Sequence, residues 1–98
     1  MKKKVKRYMV RTYSAGVFFG DIVSRKGKEV EMRNARRIWY WSGAASLSQL
    51  ATEGTSDPVN CKFPCCVAEI VLTDAVEIIT CTDAACTSID GVAIWKKS

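Results

Sequence analysis

A chain of 98 residues, 48% apolar and 26% charged, has the composition of a folded domain, which excludes a disordered tail, and its length leaves no room for a second core. Twelve of the 15 Lys and Arg residues, but three of the ten Asp and Glu, precede Ala51, so a basic half is followed by an acidic one and the net charge is +5. That split calls for an anionic partner on the first half, or for halves that attract each other within a chain or between copies.

Lys2, Lys3, Lys4, Lys6 and Arg7 read as a flexible basic arm over residues 1–7, ahead of a single globular domain over residues 8–98. The arm resembles the start of a signal peptide, but Arg11, Thr12 and Ser14 break the apolar run that should follow. No stretch approaches the roughly 20 apolar residues that span a bilayer. A soluble, cytoplasmic protein without a membrane partner is expected, and its five cysteines then read as free thiols.

In Lys6 to Tyr13 alternate residues share a face, Tyr8, Val10 and Thr12 against Met9, Arg11 and Tyr13, which predicts a strand. Ser14-Ala15-Gly16 breaks it, and Val17 to Ser24 is apolar on both faces, as a central strand would be. Arg25-Lys26-Gly27-Lys28 reads as a four-residue hairpin loop with Gly27 at positive φ. Glu29 to Arg33 is a third strand, Asn34-Ala35 a turn, and Arg36 to Trp41 a fourth strand of an antiparallel meander.

Ala44 to Thr52 carries a helical stripe of Ala44, Leu47, Leu50 and Ala51, with Ser42 or Gly43 near its start and Gly54 just past its end. Thr55 to Cys66, with both prolines, is an irregular connection. Val67 to Cys81 makes two strands or one strand bent at Thr73-Asp74, with a bulge or sharp bend favoured. Thr82 caps a last helix through about Ile89, ended by Asp90-Gly91, and Val92 to Trp95 adds an edge strand. The sum is an α+β domain: a small, strongly bent antiparallel sheet, or a partly open barrel of SH3-like or Sm-like kind, with two short helices.

Arg36-Arg37-Ile38-Trp39-Tyr40-Trp41 is the most unusual run. As a strand it sets Arg37, Trp39 and Trp41 on one face, where guanidinium forks suit phosphate and indoles suit a base. The blander reading makes one face core and lays the arginine stems over the rings. Arg11, Tyr13 and Ser14 surround a small-residue turn whose N–H groups could cradle an anion, although Ser-Ala-Gly is also ordinary turn chemistry. Cys61-x3-Cys65-Cys66 and Cys81-x4-Cys86 lack the usual zinc spacing, and without histidine no Cys-His or Ser-His nucleophile exists. Among the internal carboxylates Asp21, Glu69, Asp74 and Glu77 no recognisable pair forms. No enzyme, metal or cofactor is expected.

The motif Arg11-Thr12-Tyr13-Ser14-Ala15-Gly16-Val17, joined to Asn34-Ala35-Arg36-Arg37-Ile38-Trp39, resembles that of a family of small phage and prophage proteins carried as a domain of unknown function. The likeness extends from Val10 to about Ala85, departing at the lysine-rich start and at Cys61 to Cys66. It implies a phage origin and expression in the bacterial host cytoplasm. By analogy of class and not of motif, a basic, aromatic-bearing, histidine-free domain is similar in character to small phage anti-defence proteins that sequester nucleotide signals. The expected function is capture of an anionic nucleotide by a homo-oligomer. Arg11, Arg36 and Arg37 would take the phosphates, and Tyr13, Trp39 and Trp41 the bases, with Ser14 beside them. A nucleic-acid-binding or regulatory phage protein is the alternative, and a small virion or assembly protein the third reading.

Overall fold

The apolar alternation of residues 8–12 forms strand β1 (Tyr8–Thr12) in a computed structural model that describes residues 6–97. Met9 and Val10 are both fully buried although they point to opposite sides, so each face of the sheet has a core against it. Strand β2 (Val17–Lys26) runs antiparallel to β1, with Val10 opposite Phe18 and Met9 opposite Phe19. The chain turns through Gly27 and Lys28 alone, Gly27 at φ +59°, so the expected four-residue loop is shorter and its flanking residues belong to the strands.

Strand β3 (Glu29–Arg37) corrects the expected turn at Asn34-Ala35. Asn34 takes φ 51°, a conformation its short polar side chain tolerates, and the chain kinks without leaving the sheet. The kink fits because Gly20 lies against it: a Cβ there would come within 2.8 Å of the Asn34 carbonyl oxygen. The strand then stops at Arg37, so the predicted strand Arg36 to Trp41 does not form. A single bridge between Tyr40 and Lys62 is what remains of it.

Helix α1 (Leu47–Glu53) starts later than its stripe, because Ser46 caps it by accepting from the Gln49 N–H at 3.1 Å; Ala44 packs on the same core from outside the helix. A 3-10 turn at Pro58–Asn60 lies within the irregular connection. Two separate strands follow, β4 (Cys66–Leu72) and β5 (Ala75–Thr80), in place of the favoured bulge or bend, and then helix α2 (Asp83–Asp90), which Thr82 caps as expected. In place of an edge strand, Val92 to Trp95 makes one parallel bridge, Ile94 with Phe63, and the Trp95 N–H donates to the Phe63 carbonyl at 3.0 Å.

The strand order β4-β3-β2-β1-β5 puts β4 and β5 on opposite edges, yet Thr73 and Asp74 alone join them. A connection that short forces the sheet to curl until its edges approach at one end. There the Ala75 N–H donates to Lys28 O at 3.0 Å and the Tyr13 N–H to Asp74 O at 2.9 Å. No ladder joins β4 to β5, so the sheet is strongly bent but does not close into a barrel. Inside the curl all five strands contribute to one core, around Val10, Phe18, Val30, Met32, Ala35 and Leu72. The helices cover the other face through Leu50, Ala51, Ala85 and Ile89, against Met9, Phe19 and Phe63.

Arg7 belongs to this fold and not to an arm. Its carbonyl accepts from the Cys81 N–H at 2.9 Å, and its guanidinium holds both Asp90 oxygens at 2.8 and 2.6 Å, which raises its pKa. Lys2, Lys3 and Lys4 lie outside the described residues. Arg11 pairs with Glu77 at 3.1 Å and Arg33 with Glu69 at 4.0 Å. Each of these three ion pairs joins an arginine of the basic half to a carboxylate of the acidic half, so the attraction between halves operates within the chain. Among the described residues, no helix is long and apolar enough to cross a membrane.

Candidate functional site

The pleat separates Arg36 from Arg37, as alternation requires, and the two meet opposite environments. Arg36 points to the helix-covered face, where it is 5% exposed. Its Nε donates to Pro64 O at 2.9 Å, Nη1 to Ile89 O at 2.9 Å, and Nη2 to Phe63 O, Val92 O and Ala93 O at 3.0, 2.8 and 3.2 Å. Ile89 is in the last turn of α2, the negative end of the helix dipole, which favours a cation; its carbonyl also accepts from the Val92 N–H at 3.1 Å. Burial pulls the guanidinium below its usual pKa, but with its donors committed to backbone it is a structural clasp, not a phosphate ligand.

Arg37 is exposed on the other face, its guanidinium 4.7 Å from the Phe18 ring centroid. Arg11 lies across from Val17, which packs on the helix-side core, whereas Arg37 lies across from Phe18 of the inner core. Register thus sets Arg11 and Arg37 on opposite faces, and they do not share a surface. In the turn after β1, two of the N–H groups that could cradle an anion are already taken. The Ala15 N–H is taken by Thr12 Oγ1 at 2.9 Å and the Tyr13 N–H by Asp74 O, leaving Tyr13 82% exposed and Ser14 beside it at a loop tip. Trp41 is half-buried, its Nε1 donating to Ala44 O at 3.1 Å, and serves the core.

Trp39 has a different partner from the one expected. Its ring stacks on Trp95, centroids 6.2 Å apart and planes 13° from parallel, and the two indoles stay 62% and 45% exposed. Lys62 Nζ lies 5.7 Å from the Trp95 centroid and 5.9 Å from that of Tyr40. Beside them Pro64, Trp95, Lys96 and Lys97 line a cleft of about 440 Å³. Among the described residues no carboxylate lies within ion-pairing distance of Arg37, Lys62, Lys96 or Lys97. The surface therefore combines flat aromatic faces with cations free to meet an anion.

Lys62, Lys96 and Lys97 are the three basic residues of the acidic half, and all of them gather here. That distribution is visible in the sequence and is the signal by which the site could have been found; Trp95 could not, because its contact with Trp39 is long-range. Among the described residues no three Cys, Asp or Glu side chains come together as a metal site. Cys65 and Cys66 are exposed, while Cys61, Cys81 and Cys86 are buried.

A family model described as a domain of unknown function (DUF6948) matches residues 5–89. Arg37, Trp39 and Lys62 fall inside the matched stretch; Trp95, Lys96 and Lys97 lie beyond it. No curated protein and no solved structure matches the chain.

Proposed function

The chain belongs to the DUF6948 family, and from that premise we propose that it is a non-enzymatic binding protein for an anionic nucleotide, which it holds at the Trp95 surface. The observation that carries this reading is the convergence of Lys62, Lys96 and Lys97 on one exposed indole stack. Stacking on an aromatic face contributes about 1–3 kcal/mol per base, and lysines supply the phosphate contacts. The cleft, about 440 Å³, is within the range of small-molecule sites. The likeness of residues 11–17 and 34–39 to phage and prophage proteins supports a phage origin, in which capture would withhold a nucleotide signal from host defence.

Nanomolar capture requires about −12 kcal/mol and burial of most of the ligand. One open surface does not supply that, so the reading includes a second copy that covers the ligand in a homo-oligomer. Native mass spectrometry of protein purified from producing cells should show a nucleotide-sized mass bound per site and more than one chain. Tryptophan fluorescence should be quenched by added nucleotides, and much less so in Trp95→Ala. Absence of any quenching across the common nucleotides would sink the reading.

The openness of the surface supports a second reading, a polynucleotide strand running across the indoles. Salt decides between them. Polynucleotide affinity should fall steeply as salt rises from low to physiological concentration, because each neutralised phosphate releases counterions, whereas one covered nucleotide should lose far less.

A further inference from the structure

We infer that the ligand of the Trp95 surface contains at least two linked nucleotides, the second seated in the cleft beneath Arg37. This rests on the reading above. A second cleft, of about 170 Å³, has Phe18, Ala35 and Ile70 in its floor and Arg37, Pro64 and Cys65 around it. Pro64 also lines the Trp95 cleft, so the two adjoin across a single residue. The partition is fixed in place, since Arg36 donates to the carbonyls on either side of the Phe63–Pro64 bond at 3.0 and 2.9 Å.

Each cleft pairs an aromatic ring with a cation: Trp95 with Lys96 and Lys97 in one, Phe18 with Arg37 in the other. By itself 170 Å³ falls below the range of independent ligand sites, but as the continuation of a larger one it suits a single further unit of the same ligand. The Arg37 guanidinium already lies over Phe18, which leaves its outer plane for a base and its N–H fork for the linking phosphate.

The test titrates the four 5′-mononucleotides and the four 5′-phosphorylated homodinucleotides against the full chain by tryptophan quenching. At least one dinucleotide should bind about tenfold or more tightly than its mononucleotide, since the second contact forms at high effective concentration. Arg37→Ala should abolish that difference, bringing the dinucleotide down to the affinity that the same variant shows for the mononucleotide. In the unmodified protein the dinucleotide should also slow alkylation of Cys65 by iodoacetamide several-fold. Cys66 is an internal control, because it lines a separate cleft beside Arg7 and Asp90. Equal affinity for the two ligand lengths, with Cys65 unprotected, overturns the second subsite and leaves the Trp95 reading standing. Failure of all eight probes to bind overturns the Trp95 reading itself.

Discussion

Trp39 and Trp95 stack 6.2 Å apart although each sits on a segment outside the sheet, one just after β3 and the other near the end of the described chain. Two indoles so close and within 13° of parallel couple their electronic transitions. The circular dichroism spectrum of the unliganded protein should therefore show an exciton couplet in the indole region. Trp39→Ala or Trp95→Ala should each remove it, while Trp41→Phe leaves it. The stack adds about 0.5–1.5 kcal/mol beyond area burial, so both alanine variants should remain folded.

The neighbours Arg36 and Arg37 should differ sharply on substitution. Arg36→Ala removes the cation from five carbonyls; Phe63 O keeps the Trp95 N–H and Ile89 O the Val92 N–H, whereas those of Pro64, Val92 and Ala93 lose their donor, at a cost of about 1–3 kcal/mol for each one left unsatisfied. Several of them will find water, so a loss of about 3 kcal/mol or more is expected, which lowers the melting temperature of a domain this size by more than about 12 °C. Arg37→Ala should stay within about 1 kcal/mol, the scale of an exposed cation–π contact. Similar melting temperatures for the two variants would contradict the clasp.

Those neighbours also mark how far the sequence could be read. Alternation correctly sends Arg36 and Arg37 to opposite faces. It carries no information on which face the helices cover, because that depends on where α1 and α2, both later in the chain, come to rest. Elements decided by local chemistry were legible: the cap at Thr82 and the positive φ at Gly27, whereas the bend favoured at Thr73-Asp74 proved to separate two strands on opposite edges. What depended on distant contacts was not. Asn34 next to Ala35 has the chemistry of a turn, and the close approach of Gly20 makes it a kink instead. Trp41 left the predicted binding face because β3 stops at Arg37, and Trp95 joined Trp39 through a tail held by Phe63.

The bidentate pair of Arg7 and Asp90 ties the start of β1 to the end of α2. Both side chains are partly exposed, so water and salt screen them and the pair should contribute up to about 1 kcal/mol. A double-mutant cycle with Arg7→Ala and Asp90→Ala should return a coupling of that size at low salt and less at high salt. Arg7 also lies 4.9 Å over the Phe19 ring, so Arg7→Ala should cost more than Asp90→Ala.

Burial in the helix-side core, with Cys86 close by, pushes the Cys81 thiol from 9.0 up to about 12. A thiol that neutral should resist alkylation at pH 8, where Cys65 and Cys66 react and Cys61, Cys81 and Cys86 wait for unfolding. The same shift gives stability a pH dependence of known sign. Below about pH 9 the thiol is protonated whether the chain is folded or not, and its contribution is fully present. Between about 9 and 12 the unfolded chain loses the proton while the folded one keeps it, so stability falls as pH rises, by up to about 1.4 kcal/mol per pH unit. The informative quantity is the difference between the native chain and Cys81→Ala in urea unfolding from pH 8 to 11. The native chain should lose stability faster, and parallel curves would refute the shift.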